Sequence, residues 1–333
     1  MKKLFYLLCA AAVLLAACSK DDGGDDFTIP TDSTKAFPDP IFRAYVLANF
    51  DTNHDGSISK EEALAVREIK INKKDGTPAN ERIQTLEGIQ YFRNLTILEC
   101  SFNRITKLDL SYNPLLTVLR CGETTLASLN ISNNPLLETL DCSHGQLQTL
   151  DISKNLRLSY LSCWGNQLTT IDVVKHTALT YLNVDANLLT SIDVSKNTAL
   201  QTLWVASNRL TTLDVSNNTA IISLSCGYNL LTSIDISMLH KLQSLRCGNN
   251  QFSNLDLSNN TMLQEVWCYN NQLTTLDLSK SLLGNSTYGI PVNCARMPTL
   301  NTLYLKKGWS IKGITEERSS DYIPDGTEIV FVD

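Results

Sequence analysis

Apolar residues recur along most of the chain with a period of 21 residues. One aliphatic position carries the period, and its occupants are Leu98, Leu119, Leu140, Leu161, Leu182, Leu203, Leu224, Leu245 and Val266. Two residues later in each copy stand Cys100, Cys121, Cys142, Cys163, Val184, Val205, Cys226, Cys247 and Cys268. Nine copies in unbroken register predict a repeat protein in which each unit forms one coil of a solenoid.

Alternation within each copy predicts its extended segments. In Leu98-Glu99-Cys100 the first and third side chains point inward and the second points outward, as in a short strand. A second extended segment, Leu108-Asp109-Leu110 in the first copy, lines the opposite wall of the coil. An asparagine follows the first strand in most copies, and we expect it to satisfy backbone groups at the turn. Strands spaced by about 4.8 Å give a solenoid roughly 40 Å long.

The repeated unit reads L-x-x-L-x-C-x-x-N-x-L-T-x-L-D-[LIV]-S-x-N-x-x, which resembles a leucine-rich repeat. Over roughly residues 37–305 the layout is similar to that of internalin-like bacterial proteins. The resemblance implies an α/β repeat fold, namely a leucine-rich repeat solenoid with parallel β-strands on its concave face. It also implies a helical, EF-hand-like N-terminal cap. The chain departs from typical internalins in its 21-residue unit, its cysteine ladder and its intact calcium loop.

These patterns predict the division of the chain. We expect the helical cap over residues 37–80 and the nine-repeat solenoid over residues 81–281. The register fails after Leu278, so residues 282–333 are predicted to form an irregular last repeat and a C-terminal cap. Cys294 falls in the irregular insertion 282–298, and Leu300, Leu303 and Leu305 resemble one last rung. Residues 329–332 are apolar and predict a closing strand.

The N-terminus has the pattern of an export signal. Two lysines precede an apolar run that ends at Ala17, which predicts a signal peptide over residues 1–17. The end of this run, Leu15-Ala16-Ala17-Cys18, looks like a bacterial lipobox and implies that Cys18 carries lipid. Residues 18–36 are interpreted as an acidic, flexible tether. The tether resembles the export signal of Bacteroidota surface lipoproteins, which implies display on the outside of the outer membrane; the periplasmic face is the alternative.

A calcium-binding loop is predicted at residues 51–62. Its six ligand positions, in the order of an EF-hand, are Asp51, Asn53, Asp55, Ser57 through its carbonyl, Ser59 through a water, and Glu62. Gly56 stands where the loop must turn sharply. Hard oxygen ligands favour Ca²⁺ over a transition metal, and a single such loop indicates a structural role. The alternative is a loop that keeps the turn geometry without a metal.

Two further ladders have competing interpretations. The ladder cysteines are interpreted as buried free thiols, because Val replaces them in two copies, with disulfides as the rival. An acidic ladder stands at Asp109, Asn130, Asp151, Asp172, Asp193, Asp214, Asp235, Asp256 and Asp277. These side chains either accept N–H groups of the following turn or bind a row of cations.

Composition and motifs argue against several classes of function. The chain is 43% hydrophobic and 19% charged with a net charge of -6, which argues against disorder and against nucleic acid as a partner. None of the four histidines lies in a nucleophile or zinc motif, so we expect no enzymatic activity. The membrane is expected to be a partner only through lipid on Cys18.

Outward positions of the main strands carry the predicted binding surface. The candidate contact residues are Tyr160, Trp164, Tyr181, Trp204, Trp267 and Tyr269, with Arg120 and Arg246. Glu99, Asp141 and Asp185 supply further polar contacts at its edges. We therefore predict a surface protein that recognises a protein of a host or a neighbouring cell. Glycan binding and a purely structural envelope role are the alternatives, and the aromatic residues then serve strand packing.

Overall fold

The computed structural model describes residues 27–283, 292–308 and 323–333. The predicted signal peptide, Cys18 and the first part of the tether lie outside the described residues. The described helices are short: α1 Ser33–Ala36, α2 Pro40–Phe50 and α3 Lys60–Ala65, with 3-10 turns at Ala79–Glu81 and Ile89–Tyr91.

Parallel strands form the main body of the fold. The main sheet has eleven strands, which are β1 Glu68–Lys70, β2 Ile97–Glu99, β3 Val118–Arg120, β4 Thr139–Asp141, β5 Tyr160–Ser162, β6 Tyr181–Asn183, β7 Thr202–Trp204, β8 Ser223–Ser225, β9 Ser244–Arg246, β10 Glu265–Trp267 and β12 Val292–Asn293. A second sheet of three strands contains β11 Thr275–Asp277, β13 Thr302–Lys306 and β14 Glu328–Val332. The predicted leucine-rich repeat solenoid, with its parallel strands on the concave face, is thereby confirmed.

Neighbouring main strands pair without any slip in register. Leu98 lies opposite Leu119, and the same pairing continues from coil to coil. All nine aliphatic ladder residues from Leu98 to Val266 are fully buried. The seven ladder cysteines are buried free thiols. Burial raises the pKa of these thiols, that of Cys100 to about 12.

The N-terminal cap contributes a strand as well as helices. Asp39 accepts the N–H groups of Ile41 and Phe42 at the start of α2, at 2.9 and 3.0 Å. Its other oxygen accepts the N–H of Gln84 at 2.8 Å, which joins the cap to the first coil. Further along, Ile69 of β1 pairs with Leu98 of β2. The cap was predicted to be helical, and the structure adds a three-residue strand, which is too short for alternation to reveal.

The C-terminal end differs from its prediction in one place. Cys294 is not in an irregular segment: Val292 pairs with Val266, and the buried Cys294 continues the ladder beyond Cys268. Leu303 and Leu305 lie in β13, which pairs with β11 and so forms a last rung on the opposite wall. The insertion makes this coil longer than 21 residues, which hides its register in the sequence. The predicted closing strand is confirmed, because β14 pairs with β13.

A column of buried asparagines closes most coils at the end of the main strand, and Thr124 and Gly145 take the equivalent position in two coils. We call Asn103, Asn166, Asn187, Asn208, Asn229, Asn250 and Asn271 the strand-end asparagines. The Nδ2 of Asn208 donates to the carbonyls of Val184 and Val205 at 3.0 and 3.2 Å, and its Oδ1 accepts the N–H of Leu189 at 2.9 Å. Both ends of the amide are therefore satisfied by backbone, as predicted.

A second column of asparagines lies in the turn of the opposite wall. These turn asparagines are Asn113, Asn134, Asn155, Asn197, Asn218 and Asn260, and all are fully buried. The Nδ2 of Asn218 donates to the carbonyls of Val194 and Asn197, both at 2.9 Å. The Oδ1 atoms of this column have no hydrogen-bond donor. His176, Leu239 and Ser281 occupy the equivalent position in three coils.

The acidic ladder follows the local interpretation. Oδ1 of Asp109 accepts the N–H of Ser111 at 3.0 Å, and Asp214 does the same with Ser216 at 2.9 Å. Hydrogen bonds from the following serine lower the pKa of both aspartates. The turn therefore satisfies each carboxylate, as one of the two interpretations predicted.

Candidate functional site

The concave face presents three outward columns of side chains. The first and third residues of each main strand form two columns, because the central residue points inward. The third column follows the buried Cys or Val, and it contains Ser101, Gly122, Ser143, Trp164, Asp185, Ala206, Gly227, Gly248 and Tyr269. The six predicted aromatic residues all fall in these columns and are at least partly exposed.

Three of these aromatic residues, Tyr160, Tyr181 and Trp204, contact one another along the solenoid axis. We call the two tyrosines and the tryptophan together the tyrosine stack. Tyr160 and Tyr181 face each other on adjacent strands, with ring centroids 4.3 Å apart and planes inclined by 6°. Trp204 meets Tyr181 edge-on at 5.7 Å. Its indole N–H donates to Oγ of Ser223 at 3.1 Å. Parallel strands in register place successive rings at stacking distance.

One arginine lies toward each end of the concave face, and each forms an ion pair with a glutamate. Nε of Arg120 lies 3.5 Å from Glu99, and its guanidinium lies 5.9 Å from the ring of Tyr160. Toward the C-terminal end, Arg246 contacts Glu265 at 3.1 Å. The same guanidinium lies 4.4 Å above the ring of Trp267.

Two further aromatic contacts involve residues that were not predicted. The hydroxyls of Tyr269 and Tyr228 are 3.3 Å apart, and the ring of Trp164 lies 3.7 Å from that of His144. Tyr228 and His144 each have a positive φ, of 54° and 51°. They stand just before the strand-end position, where strand alternation no longer indicates which way a side chain points.

Asp185 has an unusual electrostatic environment on this face. It follows Val184 in the third column, and its Oδ1 accepts the N–H of Ala206 at 2.5 Å. Burial raises the pKa of Asp185 to about 7, against the opposing effects of the Ala206 N–H and of Arg246. Its charge also contributes to raising the pKa of Tyr181, to about 12, although burial of that phenol is the main cause. The carboxyl group therefore interacts electrostatically with the phenol of Tyr181.

The predicted calcium loop is held by its own hydrogen bonds. Asp51 accepts the N–H of Gly56 at 2.9 Å, and Gly56 has a φ of 84°, as the sharp turn requires. Oδ1 atoms of Asn53 and Asp55 accept loop N–H groups at 2.9 and 2.8 Å. Glu62 accepts from both Thr52 and Ser59, and these bonds lower its pKa to about 2.

The loop ligands are not gathered as a finished metal cage. Among the described residues, no three His, Cys, Asp or Glu side chains form a group arranged to hold an ion. The structure brings Asp51, Asp55 and Glu62 into one loop with their oxygens on N–H groups. Ser59 caps α3, and Ser57 donates its hydroxyl to Asp55 at 2.7 Å. In the part of the chain that is described, no helix is long and apolar enough to cross a membrane.

Comparison with known proteins identifies the fold and one close likeness. Neither a protein-family model nor a curated protein sequence matches the chain. The functional domain of InlJ from Listeria monocytogenes, which includes a cysteine ladder, is 33% identical over 82% of this chain with a TM-score of 0.70. The chain spans 56% of the length of that domain.

Two more distant structures share the architecture alone. The internalin InlF from Listeria monocytogenes is 20% identical, with a TM-score of 0.50 over 91% of this chain and 97% of its own. The ectodomain of the receptor kinase GASSHO1/SCHENGEN3 from Arabidopsis thaliana, in complex with CASPARIAN STRIP INTEGRITY FACTOR 2, is also 20% identical. Its TM-score is 0.59, with 79% of this chain and 32% of the ectodomain covered. The chain therefore has the leucine-rich repeat fold of these proteins, and its sequence is similar to that of the InlJ domain.

Proposed function

We propose that this chain is a non-catalytic surface protein that binds a protein partner through its concave face. The observation that carries the proposal is the tyrosine stack, a continuous band of Tyr160, Tyr181 and Trp204 across three coils. Rigid aromatic side chains on a preformed surface lose little conformational entropy on binding and dominate many protein interfaces. The plant receptor ectodomain in its complex shows that this architecture serves recognition in another protein.

Ring orientation favours a protein partner over a glycan. A sugar that stacks on an aromatic side chain needs an open ring face. In Tyr160 and Tyr181 the rings cover each other, and the guanidinium of Arg246 covers a face of Trp267. A Cβ added to Gly248 would lie 2.7 Å from the ring of Tyr269, so that ring rests on the backbone. One face of each of these rings is therefore covered, which leaves less open ring surface for a sugar, while the edges and hydroxyls suit packing and hydrogen bonding by a protein.

Binding of purified protein to protein and glycan arrays tests the proposal. Trp204→Ala and Trp267→Ala should each weaken binding to captured proteins about 30-fold, as expected for a central aromatic contact. Tyr112→Ala is the matched control, since Tyr112 is exposed but follows Ser111 in the turn of the opposite wall. Normal binding by both tryptophan variants, or capture of glycans alone, would contradict the proposal.

We also propose that the loop from Asp51 to Glu62 holds Ca²⁺ as a structural ion. The side chains of Asp51, Asn53, Asp55 and Glu62 are oxygen donors of the required kind, and Gly56 already makes the turn. The carbonyl of Ser57 and a water on Ser59 would complete the set. On binding, Glu62 would exchange its N–H partners for the ion, which neutralises the repulsion of the three carboxylates.

A calcium titration tests this site. Millimolar Ca²⁺ should raise the melting temperature of the protein, because an ion that binds only the folded loop stabilises it. Glu62→Gln should remove the rise, and Glu61→Gln should keep it, since the neighbouring Glu61 is not a loop ligand. An unchanged melting temperature of the unsubstituted protein at millimolar Ca²⁺ would reject the site.

We further propose that lipid on Cys18 anchors the protein in the outer membrane, with the solenoid exposed on the cell surface. The proposal rests on the lipobox-like end of the signal peptide and the acidic residues that follow it. Cys18→Ser should move the protein from the membrane fraction to the soluble fraction. Protease added to intact cells should degrade the anchored protein if it faces outward and leave it intact if it faces the periplasm.

A further inference from the structure

The charges of the concave face do not balance. Its arginines are both paired with glutamates, Arg120 with Glu99 and Arg246 with Glu265. Asp141 and Asp185 remain, and among the described residues neither makes an ion pair. Asp141 has local compensation, because it accepts the N–H and the hydroxyl of Ser143 at 3.1 and 2.5 Å. A partner that meets this face therefore encounters uncompensated negative charge.

Asp185 is the carboxylate that is placed to receive a ligand. Backbone bonds fix it between two tryptophans on neighbouring coils: its carbonyl accepts the N–H of Gly165, which follows Trp164, and Ala206, two residues after Trp204, donates to its Oδ1. Tyr181 lies on the same coil, and the charge of Asp185 contributes to raising the pKa of its phenol. Asp185 thus stands on a coil between those of Trp164 and Trp204, four residues after Tyr181.

Small residues lie beside this group along the third column. The next two positions are Ala206 and Gly227, neither of which has a long side chain, and beyond them the ring of Tyr269 lies on Gly248. The charge of Asp185 also contributes to raising the pKa of Cys226, which precedes Gly227, although burial of that thiol is the main cause. An incoming side chain can therefore reach the carboxylate without displacing a bulky neighbour.

We propose that Asp185, framed by Trp164, Tyr181 and Trp204, anchors an arginine or lysine side chain of the protein partner. The proposal rests on the concave-face binding function and names the chemistry of its contact. An arginine fits well, because its guanidinium pairs with a carboxylate and stacks on aromatic rings. The partly buried setting strengthens both contacts, since water screens them less than on an open surface.

The anchor makes binding depend on pH in a defined direction. The free carboxyl group titrates near pH 7, and a bound cation favours its ionised form. Protonation therefore competes with the ligand, and affinity should fall about tenfold between pH 8 and pH 6. The other groups that face Asp185 are the phenol of Tyr181, the guanidinium of Arg246 and the buried thiol of Cys226. His144, against Trp164, is a separate titratable group on this face.

A pair of synthetic peptides tests the anchor directly. The probe is the nonapeptide GSRGSRGSR, and its control carries citrulline, which has the shape of arginine without the charge. Binding is followed by tryptophan fluorescence at peptide concentrations up to about 10 mM, because one anchoring group gives millimolar affinity. We expect the arginine peptide to bind at least tenfold more tightly than the citrulline peptide, and to weaken about tenfold from pH 8 to pH 6.

Asp185→Asn is the decisive variant, because an asparagine still accepts the Ala206 N–H and keeps the fold. It should lose both the preference for arginine and the pH dependence. Asp214→Asn, in the turn of the opposite wall, is the matched control and should keep both. Retained arginine preference or retained pH dependence in Asp185→Asn overturns the anchor.

The same variant separates the anchor from the proposed function. If Trp204→Ala loses protein capture and Asp185→Asn retains it fully, the concave face binds proteins and the cation anchor is wrong. If neither variant changes capture, both proposals fail together. Loss of capture in both variants supports both.

Discussion

The strand-end and turn asparagines lie at the two ends of the same coils, are both buried, and bond differently. Asn208 uses both ends of its amide, whereas Asn218 donates twice and leaves its Oδ1 without a donor. Two of the three substitutions in the turn column keep a donor: His176 donates to the carbonyl of Ile152 at 3.1 Å, and Ser281 donates to that of Leu278 at 2.7 Å, whereas Leu239 has none. A strand-end asparagine thus supplies both a donor and an acceptor, and a turn asparagine supplies donors alone.

The largest effect is expected at the strand-end position. Asn208→Ala removes the acceptor of the Leu189 N–H and leaves that buried group unpaired. An unpaired buried N–H costs about 1–3 kcal/mol in addition to about 1 kcal/mol for each lost bond, so we expect a loss of roughly 3 kcal/mol. The carbonyls of Val184 and Val205 each keep a second asparagine donor, Asn187 and Asn229. Urea unfolding measures the change.

Hydrogen exchange gives a local check on Asn208→Ala. The Leu189 amide should exchange much faster in the variant than in the parent protein, while amides several coils away keep their protection. A loss of stability below about 1 kcal/mol would mean that the Leu189 N–H finds another partner, and the distinction between the columns would disappear.

Asn218→Ala should cost less, about 1 kcal/mol, in the same urea experiment. It removes two donations, but the carbonyls of Val194 and Asn197 still accept the N–H groups of Asn197 and Leu200. It also removes an oxygen that had no donor. If Asn218→Ala proved as damaging as Asn208→Ala, an ordered water or another donor must satisfy Oδ1, and the donor-only interpretation would be wrong.

The sequence predicts one column far better than the other. Both recur every 21 residues, so their burial can be inferred, and the strand-end role follows from the turn that must close after a strand. Oδ1 of Asn218 lacks a donor because no N–H group of the neighbouring coils lies near it. The sequence pattern does not indicate which N–H groups lie near a given side chain. The same holds for Asp185, whose raised pKa comes from burial among side chains of several coils.

The predictions missed one strand of the main sheet at each end of the solenoid, and the two omissions have a related cause. Ile69 and Val292 belong to the main sheet, yet both lie where the 21-residue register is absent. Periodicity assigns residues that repeat, and a strand that joins the sheet from a cap or after an insertion has no such signal. The aromatic residues of the concave face lie within unbroken repeats, so the alternation of their strands could indicate that they point outward.

Backbone strain also distinguishes the columns. The residue before each strand-end position has a positive φ, and in Ser207 it is 53°, whereas no described residue before a turn asparagine does. Glycine adopts this conformation without the penalty of a side chain, so Ser207→Gly should stabilise the protein by about 0.5 kcal/mol after its higher unfolded-state entropy is subtracted. Thermal unfolding should show a small rise, and Ser216→Gly, where φ is ordinary, should show a fall.

The smallest effect is expected where the turn column already departs from asparagine. His176 is 1% exposed, donates through Nε2 to Ile152, and has no partner for Nδ1. His176→Asn keeps a donor, adds a bond to the carbonyl of Asn155 and exchanges one unpaired acceptor for another. The lost ring volume costs about 1 kcal/mol and offsets the added bond, so stability should stay within about 0.5 kcal/mol of the parent protein.

His176→Ala lacks the donor and should lose roughly 2 kcal/mol, because the cavity is larger as well. Equal loss in both variants would show that the imidazole is needed for its shape, and the turn column would then not be defined by its donors.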